Sequence, residues 1–568
     1  MKKLLSILLC ALMLIGVISG FAACSEPEDQ GDRPTRPEGY YPNITLTLNN
    51  LTYVQYDPLF HANGWDLANN PYMDLVKEEM GIKFKISIDV NDISLYLEKL
   101  NAEIAAGKFA DLTCVANKSF AFNFLKNANQ NDLLADLTPY IKGTDESVKP
   151  SENVLKSWEQ AGETVFFPGT FDGKIKAIPW INDARGTAYN FMYIRSDWLE
   201  RVGKSVPTSL DELTEVMRAF KNNIDGAYGL VVDADFMAGC SCKIFDMHGV
   251  EPFGWYENEN GELAYGITNS EAMKAALNVL RGWYAEGLIN SDENNDFTSI
   301  GSLHYASQEI INGKAGVYFG SHSMGFVSNT LRKNSDARFV TVPLFSADGF
   351  DLAIKTDNDA YMFYAVSKEN KYPESAMKLY NMYMEVIVNE NNDPTYSMLT
   401  SNSKYTDELG EEKESYAPIQ FAPIRTTKPF DLEESMEFLT KIQQRNSEGM
   451  TQNELKSFNE YWDAVDSNEI TYKNYWTVEL YKEGGVYDQL YNMYETATYA
   501  RNKFFSVPTP AMDTLLGKLQ ATPVLDAVAI IKGEQPVDYW DTTVDTWLST
   551  GGQTITDEVN AWWQGVNV

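Results

Sequence analysis

The pattern of apolar and polar positions at the start of the folded chain predicts strands that alternate with helices. Apolar residues occupy every second position of 44–48 (ITLTL) and 82–86 (IKFKI), which is the spacing of a strand with one buried face. Helices are predicted over 72–80 and 94–106, each followed by a glycine that can end a helix. A short strand is predicted at 111–115. This order indicates an α/β lobe with a mostly parallel sheet.

Further along the chain the pattern favours longer amphipathic helices. Thr208 follows a proline and is predicted to cap one helix, and a strand is predicted at 229–232. The segment 270–286 places its apolar residues on one helical face. Trp198 and Trp283 lie at the same spacing, so we assign both to the core.

The segment 174–199 connects two apolar, strand-like runs through a polar link. That link contains Trp180, Asp183 and Arg185. Pro179 has no amide proton to donate to a sheet, so the first run must end there or lie at an edge. The pattern suits a crossover between two lobes with a ligand at the join. An ordinary loop between strands is the alternative.

Several segments resemble one protein family. AIPW at 177–180, YIRSDWLERVG at 193–203 and SVPTSLDELTEVMRAFK at 205–221 resemble the first interlobe crossover of large extracellular solute-binding lipoproteins of carbohydrate ABC importers. YAEGLIN at 284–290 and FFSVPTPAM at 504–512 resemble the same family.

The resemblance implies an α/β fold of the two-lobed type II periplasmic-binding-protein kind, with three interlobe crossings and extra C-terminal helices. The crossings are expected near 177–190, 314–321 and 361–367. The first lobe is then expected to comprise 42–178 and 321–362, and the second lobe, with the C-terminal helices, 190–314 and 367–568.

The N-terminus is predicted to be a targeting segment. A basic start, an apolar run over 4–18 and small residues before Cys24 indicate a secretory signal over 1–23. FAAC at 21–24 resembles a bacterial lipobox, which implies lipidation of Cys24. Residues 24–41 are polar and rich in proline and acid, so they are predicted to form a flexible tether. We expect a protein anchored by lipid to the extracellular face of the membrane; an ordinary cleaved signal is the alternative.

Charge and composition narrow the classes of partner. The chain has 46 basic and 80 acidic residues, a net charge of −34, which repels nucleic acid and anionic lipid. Its 32 Tyr, 28 Phe and 12 Trp are compatible with stacking against the apolar faces of sugar rings. We therefore expect no nucleic-acid partner. We also expect a monomer.

Ten residues are predicted to contact the ligand, because they are aromatic or polar and fall on expected cleft segments. Arg425, in the segment FAPIRTTKPF, is suited to bidentate binding of a carboxylate if the sugar is acidic; a surface salt bridge is its alternative. For each Trp, packing in the core is the alternative. The ten are Trp65, Asp66, Trp180, Asp183, Arg185, Trp255, Ser321, His322, Arg425 and Trp476.

Signals for catalysis or metal binding are weak. The segment 320–325 (GSHSMG) resembles a hydrolase nucleophile elbow but lacks its glycine spacing, and no histidine follows His322. Cys240 and Cys242 lack zinc-site spacing, and two buried free thiols are favoured over a strained bridge. We expect no catalytic residues, no metal and no cofactor.

The resemblance therefore implies a binding protein that captures a carbohydrate, most simply an oligosaccharide, and delivers it to ABC permease subunits in the membrane. A secreted lipoprotein enzyme acting on polysaccharides and a peptide-binding importer component are the alternatives.

Overall fold

The computed structural model describes residues 40–51, 62–90, 92–115, 118–188, 190–238, 242–291, 296–298, 303–322, 328–356, 358–406, 410 and 412–566. The predicted signal, Cys24 and nearly all of the predicted tether lie outside these residues. So do Cys240 and part of the segment 320–325.

The first part of the chain builds most of one sheet and the helices that cover it. The helix α1 begins at a cap in which Asn70 accepts a hydrogen bond from the Met73 amide, and it ends at Gly81 with a φ of 73°. In chain order the elements are β1 (Ile44–Asn49), α1 (Pro71–Met80), β2 (Ile82–Ile86), α2 (Ile93–Ala105), β3 (Leu112–Val115), α3 (Lys118–Gln130), α4 (Thr138–Ile141), α5 (Glu152–Ala161), β4 (Thr170–Phe171), β5 (Lys174–Ile175) and β6 (Ala177–Ile181).

The next part builds a second sheet. Every residue of its central strand, FMYIR, is buried, which explains why this strand reads as a continuous apolar run. The elements are α6 (Ala184–Thr187), β7 (Phe191–Arg195), α7 (Ser196–Val202), α8 (Leu210–Asn223), β8 (Tyr228–Leu230), α9 (Ile244–Met247), β9 (Trp255–Glu257), β10 (Leu263–Tyr265), α10 (Ser270–Ala285), α11 (Leu303–Ile311), β11 (Ala315–Gly320), α12 (Ser328–Lys333) and β12 (Phe339–Pro343).

The chain then returns to the first sheet and later adds a helical C-terminal part. The cap of α8 is Ser209 and not the predicted Thr208; Thr208 instead bonds the Glu212 carboxylate. The remaining elements are β13 (Ile354–Thr356), β14 (Ala360–Val366), α13 (Ser375–Val388), α14 (Pro394–Thr400), β15 (Ser403–Thr406), β16 (Glu412–Ser415), α15 (Leu432–Gln443), α16 (Gln452–Ser467), α17 (Tyr475–Tyr481), α18 (Val486–Thr496), β17 (Tyr499–Arg501), α19 (Pro510–Ile531), α20 (Tyr539–Trp547) and α21 (Gln553–Val566).

The two large sheets have separate cores. The first has the order β2-β1-β3-β14-β6, with β1 parallel to β2 and β3 and with β14 antiparallel to its neighbours. The second has the order β12-β7-β11-β8, with β7 antiparallel to β11 and β12. One apolar cluster surrounds each sheet, and the predicted core residues Trp198 and Trp283 belong to the second cluster. The two-lobed α/β architecture is therefore present.

Strand pairing corrects two of the predicted crossings and the lobe boundaries that follow from them. β11 and β12 both pair within the second sheet, so the chain does not cross near 314–321 and this part of 321–362 belongs to the second lobe. The chain returns to the first sheet between Pro343 and Ala360. The predicted crossing near 361–367 is wrong, because β14 is a strand of the first sheet.

The prediction that 367–568 belongs wholly to the second lobe is also wrong. Helix α13 and residues through Ile424 pack in the first core, and the chain leaves this core before α15 begins at Leu432. The crossings lie at 182–190, 355–359 and 425–431. An apolar strand buried on both faces does not indicate which of two sheets it joins, which explains the error.

The C-terminal helices mostly extend the second lobe. Helix α19 is long and apolar enough to cross a membrane by length and composition alone, but Ala527 and Ile530 are fully buried in the second core. It packs against α10 and α20 along one side, and 28% of its most apolar stretch is buried. Helices α15 to α18 enclose a small apolar cluster of their own.

Candidate ligand-binding site at the interlobe junction

The ends of both sheets meet at the first crossing. This crossing joins the end of β6, Ile181, to the start of β7, Phe191. Register places Ala360 beside Ile181 in the first sheet, and it places Gly320 and Pro343 beside Phe191 in the second. In open α/β sheets, ligands bind outside the strand ends. We call the polar residues gathered here the interlobe junction.

Asp183 lies at the centre of the interlobe junction. It caps the short helix α6, with its Oδ1 accepting a hydrogen bond from the Arg185 amide at 3.2 Å. The Tyr494 hydroxyl on α18 donates to the other carboxylate oxygen of Asp183. The Arg185 guanidinium lies 4.7 Å from the centroid of the Tyr494 ring. A residue from the C-terminal helices thereby completes the first crossing.

Asp359, on the second crossing, ties three chain segments together. Its carboxylate accepts a hydrogen bond from the Ala184 amide at 2.9 Å, and its carbonyl accepts one from the Asn182 amide at 2.6 Å. The Arg501 guanidinium lies 2.9 Å from the other Asp359 carboxylate oxygen. The two crossings and β17 thus form one hydrogen-bonded unit.

Burial raises the pKa of both junction carboxyls. For Asp183 the positive charge of Arg185 opposes this effect, and the negative charge of Asp359 adds to it. For Asp359 the charge of Arg501 is the main opposing influence on its pKa. The junction therefore holds two carboxylates in partly dehydrated positions, where each requires a donor.

The end of β11 reaches the same place. His322 Nδ1 contacts the Gly186 carbonyl, so this nitrogen must carry the proton in the neutral ring. Burial lowers the pKa of His322, while the Gly186 carbonyl and the charge of Asp183 raise it. Ser321 is buried, and its carbonyl accepts a hydrogen bond from the Tyr193 hydroxyl at 2.9 Å. The histidine thus joins the second sheet to the first crossing.

A row of aromatic rings borders the junction. These residues were not among the predicted ligand contacts. Tyr487, Tyr491 and Tyr494 follow one another at positions i, i+4 and i+7 of α18. The first two rings are stacked 5.6 Å apart, and Phe430 stacks on Tyr494 at 4.5 Å. All three tyrosines are half-buried. Their helical spacing in the sequence was the signal that could have identified them.

Two cavities open beside these residues. The smaller, about 30 Å³, lies between the crossings and is lined by residues that include Asp183, Arg185, Asp359 and Thr427. The larger, about 290 Å³, is lined by residues that include Asp183, Lys428, Phe430, Glu434, Phe438 and Glu454. Aromatic faces and hydrogen-bonding groups line the same space, which is the combination that sugars require.

The structure brings Asp183, Arg185 and His322 together but places other predicted residues elsewhere. Trp255 is 3% exposed and packs 4.9 Å from Tyr265 in the second core. Arg425 is 4% exposed and donates a hydrogen bond from Nη2 to the Leu51 carbonyl at 2.7 Å. Its guanidinium also stacks on the Trp180 ring at 4.4 Å, within the protein. These positions argue against ligand contacts by Trp255 and Arg425.

The remaining predicted residues have local roles in this structure. Trp65 packs edge-on against Phe421 at 5.9 Å. Asp66 accepts hydrogen bonds from the amides of Ala68 and Asn69 and closes its own loop. Trp476 is half-buried on α17, with its ring 5.8 Å from that of Tyr193.

Other chemistry has little support among the described residues. There, no group of three His, Cys, Asp or Glu side chains converges in a way that could hold a metal ion. Cys114 and Cys242 are buried free thiols, and burial raises the pKa of Cys242 to about 12. A further cavity of about 540 Å³ lies within the first lobe beside α2, away from the crossings.

Comparison with known proteins decides the family. The model of the family described as bacterial extracellular solute-binding protein matches residues 74–414. The chain belongs to this family. Lipoprotein LipO of Bacillus subtilis is 30% identical over 275 residues, which cover 47% of this chain and 50% of LipO.

Two further relatives carry names that mention carbohydrates. The polygalacturonan/rhamnogalacturonan-binding protein YtcQ of Bacillus subtilis is 25% identical over 39% of this chain and 41% of its own length. The solved structure of the Streptococcus pneumoniae ABC-transporter substrate-binding protein FusA with kestose has a TM-score of 0.55 and 15% identity. It covers 92% of this chain and 99% of FusA, so the likeness shows the fold.

The resemblance predicted membership of the solute-binding family and a two-lobed fold, and both predictions are confirmed. The chain spans about half the length of the curated relatives it matches. Members of the family are solute-binding proteins, and the family is extracellular.

Proposed function

We propose that this protein binds an oligosaccharide at the interlobe junction and delivers it to an ABC permease. The observation that carries the proposal is the meeting of both sheet ends with Asp183, Arg185, His322 and Tyr494 at the first crossing. Relatives named for oligosaccharide or polysaccharide binding support a sugar as the ligand.

Binding is expected to proceed by hinge closure of the two lobes. All three crossings contribute residues to the junction or to the cavities beside it, so a ligand there would contact the segments about which the lobes move. Half-buried tyrosines supply stacking surfaces, while the carboxylates accept hydrogen bonds from hydroxyl groups. The closed form would then be the shape that the permease recognises.

The proposal includes no covalent chemistry. In the hydrolase-like segment 320–325 the nucleophile position is Ser323, which lies outside the described residues. A serine nucleophile needs an accessible hydroxyl and a histidine that accepts its proton. In such hydrolases the histidine follows the serine in the chain, and no histidine follows Ser323, which favours a binding role over hydrolysis.

Anchoring by lipid at Cys24 completes the proposal. The lipobox resemblance and the lipoprotein relative LipO support it. A polar tether after the anchor would hold a monomeric body just outside the membrane, within reach of permease subunits. Metabolic labelling with a fatty-acid probe tests this part, with Cys24→Ser as the unlabelled control.

The test of function combines binding with product analysis. A panel of plant, microbial and storage oligosaccharides is screened by thermal shift, and hits are titrated by calorimetry. The expected result is a raised melting temperature with the sugar recovered intact by chromatography. Shortened products would support the enzyme alternative, and stabilisation by peptides alone would support the peptide importer.

A further inference from the structure

We infer that the ligand is an uncharged oligosaccharide and not one built from uronic acids. The inference rests on the proposed function, and it names the class of sugar that the interlobe junction accepts. Its basis is the balance of charges at the ends of the two sheets.

Acidic residues follow or precede the strands at the edge that faces the crossings. In the first lobe Asp89 follows β2, and Asp183 and Asp359 flank β6 and β14. In the second lobe Asp233 and Asp235 follow β8. Of these acids, Asp183 and Asp359 line the smaller junction cavity.

The cations of the junction already have carboxylate neighbours. Arg501 is paired with Asp359 at 2.9 Å, and Arg185 Nε lies 3.9 Å from an Asp183 oxygen. Lys428, which lines the larger junction cavity, has its Nζ 3.9 Å from a Glu434 oxygen. The same cavity also receives Asp431 and Glu454, so its lining carries more acid than base.

Arg425 was the residue best suited by sequence to bind a carboxylate, and it is engaged elsewhere. It is 4% exposed, stacks on Trp180 and donates a hydrogen bond to the Leu51 carbonyl.

These charges distinguish the two classes of sugar. A uronate carboxylate that leaves water needs a cation or several amide donors, and like charges placed against it oppose binding. A neutral sugar offers hydroxyl donors, for which carboxylates are good acceptors, and apolar ring faces, for which Phe430 and Tyr494 are good surfaces. The junction thus fits hydroxyl groups and repels carboxylates.

The decisive experiment uses pairs of ligands with the same sugar backbone, one member acidic and the other uncharged. Tetragalacturonic acid is compared with its fully methyl-esterified form, and manno-oligosaccharides with mannuronate oligosaccharides, beside neutral fructo- and gluco-oligosaccharides. Calorimetry is run on the full chain at low and high salt. We expect at least one uncharged ligand to bind, and any acidic counterpart to bind at least about 100-fold more weakly.

Salt gives a second readout. Binding of an uncharged ligand should change less than about twofold between about 50 and 500 mM NaCl, because no ligand charge is screened. Residual binding of an acidic ligand should strengthen as salt rises, since screening weakens the repulsion.

A charge-reversal variant tests the cause. Glu434→Lys adds a cation at the larger junction cavity and should narrow the preference for uncharged ligands by about tenfold. Glu433→Lys, an exposed neighbour on the same helix that is absent from that lining, is the matched control and should leave the preference unchanged.

The outcomes separate the two proposals. Preference for the acidic member of any pair would overturn the inference while leaving sugar binding intact. Failure of every sugar in the panel to bind would overturn the proposed function and this inference with it. Preference for uncharged members, with the narrowed preference in Glu434→Lys alone, would support both.

Discussion

The interiors of the two lobes and the junction between them are stabilised by different interactions. In the first lobe, β14 packs among fully buried apolar residues, and in the second lobe Trp540 is completely buried beneath α19 and α10. The junction instead depends on a few polar contacts around Asp183 and Asp359. Apolar burial fixes the shape of each lobe, whereas polar contacts can exchange as lobes close. Substitutions in the two regions should therefore have separable effects.

The largest effect is expected inside a lobe. Trp540→Ala removes a ring that is 0% exposed and whose Nε1 donates to the Ile267 carbonyl at 3.1 Å. We expect a loss of about 3–5 kcal/mol in the free energy of unfolding, measured by guanidinium denaturation. Leu525→Ala, at a side chain that is 68% exposed on α19, is the control and should change stability little. Similar losses in both variants would contradict the assigned packing.

The second-largest loss of stability is expected at Arg425, a charged residue that is buried inside a lobe. Arg425→Met removes the hydrogen bond to Leu51 and the stacking on Trp180. We expect a loss of about 2 kcal/mol in stability, because a buried carbonyl is left without its donor. The relative affinity for acidic and uncharged sugars should not change.

Arg445→Met is the matched control for this prediction. Arg445 also stacks on a Trp ring, at 4.6 Å from Trp462, but it is exposed and pairs with Asp466. Such exposed pairs contribute about 0–1 kcal/mol. A selective loss of acidic-sugar binding in Arg425→Met would show that the guanidinium does reach the ligand.

A smaller effect is expected at the junction itself. Tyr494→Phe keeps the ring that stacks on Phe430 but removes the hydroxyl that donates to Asp183. We expect about tenfold weaker sugar binding by calorimetry and a stability loss near 1 kcal/mol, since one polar partner is lost. Tyr472→Phe, on the exposed segment before α17, should leave affinity unchanged. Equal affinity in the two variants would argue against a role for this contact in binding.

The smallest expected effect is a pH dependence of stability, which can be compared between two histidines. Burial lowers the pKa of His322 at the junction and of His248 inside the second lobe. A lowered pKa means that the folded protein binds fewer protons than the unfolded chain, so stability falls as pH drops through about 6.5. Replacing either histidine with Gln should reduce the fall in melting temperature between pH 7.5 and 5.5.

Ligand affinity should separate these two variants. His322 faces Asp183, the Gly186 carbonyl and the Tyr487 ring, so its protonation would disturb the first crossing. His248 bonds the Ile244 carbonyl at 2.6 Å within its own lobe. Only His322→Gln should change the pH dependence of sugar affinity; an equal change in His248→Gln would contradict the comparison.

Local pattern predicted β1, β2, β3 and the two helices between them within a residue or two at their ends. The alternation in 44–48 and 82–86 and the glycine after α1 were sufficient, because these elements are determined by spacing and capping. The lobe membership of β11, β12 and α13 could not be predicted in the same way. It depends on pairing between segments far apart in the chain, which apolar runs alone do not specify.

The candidate site likewise contains some residues that could be predicted from sequence and others that could not. Asp183, Arg185 and His322 were identified because they lie on or beside predicted crossover segments, whereas Tyr494 was missed because its partner is 311 positions away. Trp255 and Arg425 are residue types suited to ligand contact, but tertiary packing buries both. Sequence indicates which residues are suited to bind a sugar, and packing decides which of them are accessible.

Hydrogen–deuterium exchange with the tightest-binding uncharged oligosaccharide tests the central claim most directly. We predict that the ligand slows exchange in 181–187, 427–438 and 487–494, the segments that meet at the interlobe junction. Slower exchange confined to the cavity beside α2, or to one lobe alone, would contradict binding at the junction.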